Sequence, residues 1–168
     1  MEIEFVGAAK TVTGSKHLIR TKHATILLDC GLWQGTRRET IERNKHLGGD
    51  PTKIDVEVLS HAHIDHSGAL PALVKQGFDG PIYTTSATRD LCAAMLIDAA
   101  MIQQSDAKFI NKLIDRGDSD MERVEPLYDD RDVLAAILLA ALEQAAIASA
   151  SALAFAIRAR DERAERRL

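Results

Sequence analysis

His61-Ala62-His63-Ile64-Asp65-His66 sets three imidazoles and one carboxylate within six residues. That is the donor set of Zn²⁺ or a similar ion. The run before it, Ile54-Asp55-Val56-Glu57-Val58-Leu59, alternates and is β-branched, so it reads as a strand. The run after it, Ser67 to Lys75 with Pro71 in its first turn, reads as a helix. The cluster therefore falls where a strand gives way to a helix, and loops on such a frame often carry binding chemistry. In extended chain, residues i and i+2 point the same way, so His61 and His63 reach one ion together. Asp65 and His66 lie past the bend, which suits a second ion. Two ions roughly 3.5–4 Å apart clamp the attacking and leaving oxygens of a displacement. A surface role fits a lone histidine better than three in six residues.

Working outward, Ile3 to Val6, His17 to Thr21 and Ala24 to Asp29 read as strands, and the Thr21-Lys22-His23 turn joins the last two as a hairpin. Pro81-Ile82-Tyr83-Thr84-Thr85 reads as a further strand. Ser86 or Thr88 caps a helix through Leu91, Met95, Ile97 and Met101, where apolar residues recur at helical steps. Strands followed by strand–helix–strand–helix fit a sheet covered by helices on one face. Asp29 closes its strand, where an Asp commonly caps a turn. His23 and His46 read as solvated, and His17 as a strand histidine that either faces the cleft or does not.

The HxHxDH pattern of His61, His63, Asp65 and His66 resembles the metallo-β-lactamase fold. The opening Ile3-Glu4-Phe5-Val6-Gly7-Ala8-Ala9 and Thr11-Val12-Thr13-Gly14-Ser15-Lys16-His17-Leu18-Ile19 resemble the RNA-processing branch that carries the β-CASP insertion. Thr25-Ile26-Leu27-Leu28-Asp29-Cys30-Gly31 is similar to that family's first motif, a strand ending in Asp. The resemblance runs from Met1 to about Asp132. It implies an α/β (α+β) fold, a partial metallo-β-lactamase-like αβ sandwich with a mixed sheet. It also implies one or two Zn²⁺ ions. His61 and His63 would hold the first, and Asp65 and His66 the second. Asp65 would be catalytic and orient a water, and Asp29 would hold a ligand or water by hydrogen bonds.

The resemblance also implies later ligands: a further His, a bridging Asp and a last His. The chain has 6 histidines and none follows His66. Composition shifts instead. Val133 to Leu142 opens a long Ala/Leu/Ile run in which Glu143 is the sole charge until Arg158. Neither Gly nor Pro interrupts it, so a single long helix is expected. The expected organisation is a partial domain over 1–131 and an Ala-rich helix over 132–168. An apolar helix of this kind packs on the open face of the domain, pairs with a second copy, or enters a membrane. Glu143, Gln144, Ser149 and Ser151 argue against the membrane.

At 168 residues one domain is the prior. Net charge is −4 and aromatics are 4%, so the core is aliphatic and the chain as a whole carries no basic footprint for nucleic acid. Arg37, Arg38, Arg43 and Lys45 follow Trp33 and either meet phosphates or form a solvated loop balanced by Glu39 and Glu42. Cys30 and Cys92 follow no CxxC spacing and suggest a reducing compartment. The N-terminus enters a strand at once, so a cytoplasmic location is expected.

The expected function, by resemblance, is zinc-dependent hydrolysis of phosphodiester bonds, with RNA as substrate. One alternative is a catalytically incomplete metal-binding fragment that folds or forms a homo-oligomer through its C-terminal helix. Another is a thioester or lactone hydrolase of the same superfamily, since one fold hosts many functions.

Overall fold

A computed structural model describes residues 1–141 of the chain. Six strands form one sheet in sequence order. The first three, β1 (Glu2–Phe5), β2 (His17–Arg20) and β3 (Thr25–Leu28), run antiparallel, with Leu18 opposite Leu27. Thr21 makes the tight turn between β2 and β3, its Oγ1 accepting from the amides of His23 and Ala24. The chain then switches to parallel pairing through β4 (Val56–Val58), β5 (Ile82–Tyr83) and β6 (Ala140–Ala141). Parallel neighbours require crossovers, and helices supply them. They are α1 (Arg37–Asn44), α2 (Ile64–Ser67), α3 (Leu70–Lys75), α4 (Ser86–Asp115) and α5 (Asp130–Leu139).

The main core lies between sheet and helices. Leu18, Leu27 and Ile82 from the strands meet Leu73, Leu96 and Val133 from the helices and Tyr128 from the loop before α5. Each such fully buried aliphatic side chain contributes about 1.5–3 kcal/mol. Alternation sends Ile26, Val56 and Tyr83 to the opposite face, where they cluster with Ala24, Ile19 and Val58. The helices therefore cover one face of a mixed sheet, as the alternation and order of elements imply.

Several sequence expectations need correction. The basic segment after Trp33 is the helix α1, and its charges pair along and beyond it: Lys45 with Glu42, and Arg38 with Asp120. The expected helix from Ser67 to Lys75 is two helices, because Gly68 and Ala69 break the ladder and Pro71 starts the next one. Asp65 and His66 consequently sit within the helical turn α2. Thr85, one residue before the expected caps, closes the start of α4 by accepting from the Thr88 amide at 3.2 Å.

The expected long C-terminal helix is also interrupted. A capping box of Asp129 and Asp132 starts α5, which ends at Leu139, and the chain becomes extended at Ala140. The reason is tertiary. The outer edge of β5 has backbone groups to satisfy, and pairing Ile82 with Ala140 outweighs alanine's helix preference. The helix α5 spans the expected boundary at 131/132 and packs on α3 and α4. The remainder of the Ala-rich run, 142–168, lies outside the described residues, as do the expectations placed on it. Among the described residues no helix is long and apolar enough to cross a membrane.

Candidate metal centre

Two loops form the site, one leaving β3 and the other leaving β4. They are sewn together through their backbones. The Cys30 amide donates to the His66 carbonyl at 2.7 Å, the Leu32 amide to Ile64 at 3.0 Å, and the Ala69 amide to Cys30 at 2.8 Å. Ser15, from the β1–β2 loop, donates its amide to the Asp65 carbonyl at 2.8 Å. Gly31 is required where the loops touch, because a Cβ there would run into the Asp65 carbonyl oxygen. Buried Ser67 folds the second loop back on itself, its Oγ donating to Ala62 at 2.8 Å and His63 at 3.1 Å.

Asp29 occupies the exit of β3 with φ of +59°, a left-handed conformation uncommon outside glycine. That turn aims a buried carboxylate, 5% exposed, at the second loop. Its Oδ1 accepts from the Ser60 amide at 2.8 Å, and its Oδ2 lies 2.8 Å from His66 Nδ1. A carboxylate oxygen accepts, so the proton sits on His66 Nδ1 and Nε2 is left for other partners. Ser15 Oγ reaches the same Oδ2 at 3.5 Å and His17 Nε2 at 3.4 Å. His17 thus joins the edge of this network.

The four motif side chains form two pairs. His61 Nε2 faces His63 Nδ1 at 3.1 Å, and Ser60 Oγ bonds His61 Nδ1 at 2.9 Å, which fixes the ring nitrogen turned toward His63. Asp65 Oδ2 lies 3.7 Å from His66 Nε2. The pairs adjoin, with the His61 and His66 ring centroids 4.1 Å apart. Two nitrogens each about 2.0–2.1 Å from a tetrahedral ion stand roughly 3.3–3.4 Å apart, so the first pair has the right bite. A catalytic zinc ion takes three protein ligands, however. Among the described residues no group of three or more His, Cys, Asp or Glu converges on one point. The residues fit an ion in type and pairwise spacing, and the set is incomplete in number.

Cys30 is fully buried, and desolvation pushes its thiol up to about 12, so it offers no thiolate ligand or nucleophile near neutral pH. His23 and His46 take no part in the two pairs. Ser15 and Ser60 are members of the network that the residue pattern alone does not single out. Their only sequence signal is adjacency, Ser60 to the first motif histidine and Ser15 to Gly14.

Comparison with known proteins shows the family. Residues 13–141 match the metallo-beta-lactamase superfamily. Ribonuclease TTHA0252 of Thermus thermophilus is 43% identical over 102 residues, 61% of this chain and 23% of that protein. Probable RNase MJ4 of Methanocaldococcus jannaschii is 39% identical over 66% of this chain and 25% of its own length. Transcription termination factor FttA of Thermococcus kodakarensis is 31% identical over 79% of this chain and 19% of its own. The chain thus spans a quarter or less of each of these relatives. Among solved structures, a metallo-beta-lactamase with a HARLDQ motif from Cronobacter sakazakii is 25% identical over 55% of this chain and 34% of that one, with a TM-score of 0.40. By its match over residues 13–141, this chain belongs to the metallo-beta-lactamase superfamily.

Proposed function

We propose that this chain carries the metal-binding half of a zinc-dependent phosphodiester hydrolase of the RNA-processing, β-CASP branch, acting on RNA in the cytoplasm. The observation that carries this reading is the pair of adjoining donor sets at the sheet's exit, one of them buttressed by Asp29. Relatives named as ribonucleases support RNA as the substrate class. His61 and His63 would hold one ion, and Asp65 and His66 a second. When bound, the ions supply Lewis-acid charge that activates water and offsets charge building on phosphate oxygens. Asp65 orients the attacking water with its carboxylate. Asp29 holds His66 in one tautomer and orientation, the usual task of an acceptor behind a metal-bound histidine.

One observation favours a second reading for the chain acting alone. Among the described residues donors face each other two at a time, and on this reading the chain is a metal-binding fragment whose remaining ligands come from elsewhere. Metal content and RNA cleavage separate the two. Chelator-free protein reconstituted with zinc should retain about two ions per chain if it is the enzyme. It should cleave a labelled oligoribonucleotide, and Asp65→Ala should abolish cleavage. Less than about half an ion per chain, with no cleavage, favours the fragment. Cleavage untouched by Asp65→Ala and His63→Ala sinks the proposed site.

A further inference from the structure

A second concavity lies between the β1–β2 loop and α1, apart from the motif histidines. It encloses about 510 Å³, inside the roughly 300–1,000 Å³ range of small-molecule sites. Its walls include Phe5, Lys16, Trp33, Arg43 and His46. Among the described residues, every titratable side chain lining it is a cation or a histidine, in a chain whose net charge is −4. A cleft lined by one sign of charge focuses its field on an oppositely charged ligand.

Each wall is built. Lys16 is 4% exposed and its Nζ donates to the Gly31 carbonyl at 2.6 Å. An ammonium carries three donors, so others remain. Burial lowers its pKa, and an anion beside it would oppose that loss of charge. Asn44 clamps Trp33 through both of its backbone groups, at 2.8 and 2.9 Å. Trp33 Nε1 is buried without a hydrogen-bond partner among the described residues. The Arg43 guanidinium stacks over the indole, 4.3 Å from its centroid. Phe5 contributes an aromatic ring that is 65% exposed. Of the nearby carboxylates, Glu39 is bonded to Thr36, and Glu42 is bonded to Lys45 while its charge also reaches His46.

We infer that this cleft binds a nucleotide, its phosphate held by Lys16, Arg43 and His46 and its base laid against the Phe5 and Trp33 wall. Cations hold phosphate by charge-assisted hydrogen bonds, and flat bases stack on aromatic rings and guanidinium planes. The site needs no metal and does not rest on the hydrolase reading.

Trp33 is the sole tryptophan of the chain, so its fluorescence reports occupancy directly. The full chain, kept in chelator so that the histidine centre is metal-free, is titrated with adenosine monophosphate, adenosine, inorganic phosphate and tetra-adenylate. Adenosine monophosphate should change the emission saturably, and adenosine and phosphate alone should bind at least about tenfold more weakly, since each lacks half of the contacts. Arg43→Gln and His46→Gln, both on the surface, should each weaken binding about fivefold by calorimetry with the circular dichroism unchanged. His63→Ala should leave it intact. Tetra-adenylate about tenfold tighter than the monomer identifies an RNA strand as the natural source, since neighbouring units add contacts. Equal affinity identifies a free nucleotide. No saturable response to either nucleotide overturns the inference, as does phosphate binding as tightly as the monophosphate, or an Arg43→Gln variant with unaltered affinity.

Discussion

Asp29 and Glu57 are both buried acids on neighbouring strands, yet their surroundings are opposite. Asp29, at the exit of β3, has partners on each oxygen: the Ser60 amide on one, and His66 with Ser15 on the other. Glu57, inside β4, is 0% exposed and has no hydrogen-bond partner on either oxygen among the described residues. It faces the helix-covered side, in register between Leu27 and Ile82. Burial with Asp29 nearby raises its pKa well above the ordinary value of 4.5. One carboxyl group is built into a site, while the other is a polar group stranded in the core. The difference teaches that the loops after the strands, and not the sheet interior, are where this fold can accommodate charge.

The largest test breaks the frame around Asp29. Gly31→Ala forces a methyl group into the Asp65 carbonyl, and overpacking of this kind should cost about 3 kcal/mol in denaturant unfolding. Asp29→Ala removes the acceptor behind His66 and should weaken zinc affinity about 10–100-fold by competition with a chromophoric chelator. Binding unchanged in that variant would show that Asp29 is an ordinary turn residue.

The opposite sign is expected at Glu57. Glu57→Met replaces the stranded carboxyl with an apolar chain of similar length and should stabilise the protein by about 1–3 kcal/mol at pH 7. The pH dependence follows from the raised pKa. Below the ordinary value of 4.5 both folded and unfolded chains hold the proton, so there is no penalty. Above it the unfolded chain releases its proton while the folded chain keeps it, so stability falls as pH rises. Urea midpoints of Glu57→Met should lack that component of the slope. The smallest effect belongs to Ser15→Ala, where the bond to Asp29 is 3.5 Å long; unfolding should shift by within about 0.5 kcal/mol.

The metal motif and its setting were legible because their signals are local. A β-branched run, four candidate ligand side chains and a helix start lie within consecutive residues, and the two-residue period alone pairs His61 with His63. Asp29 could be marked from its place at a strand's end. Glu57 could not. In Val56-Glu57-Val58 the alternation points a polar residue to a solvent-facing side, but Glu57 lies in register with Leu27 and Ile82 on the face that the helices cover. Ser15 and Ser60 acquire their roles from loops that meet only in three dimensions. The same applies to α5. Its composition favours continued helix, and only the vacant edge of β5 explains why it stops at Leu139.

All four residues of β1 are exposed, and among the described strands only β2 pairs with it. Its outer rim is an open ladder of amides and carbonyls, which invites another chain to dock. Glu2 and Glu4 stand on that rim. Charged side chains are one means of blunting such an edge. Glu4 is held by Arg20 of β2, and Glu2 is the carboxylate of this strand that makes no ion pair among the described residues. Added salt would screen its repulsion of an incoming strand, so a concentrated solution of this protein should associate more readily at high ionic strength.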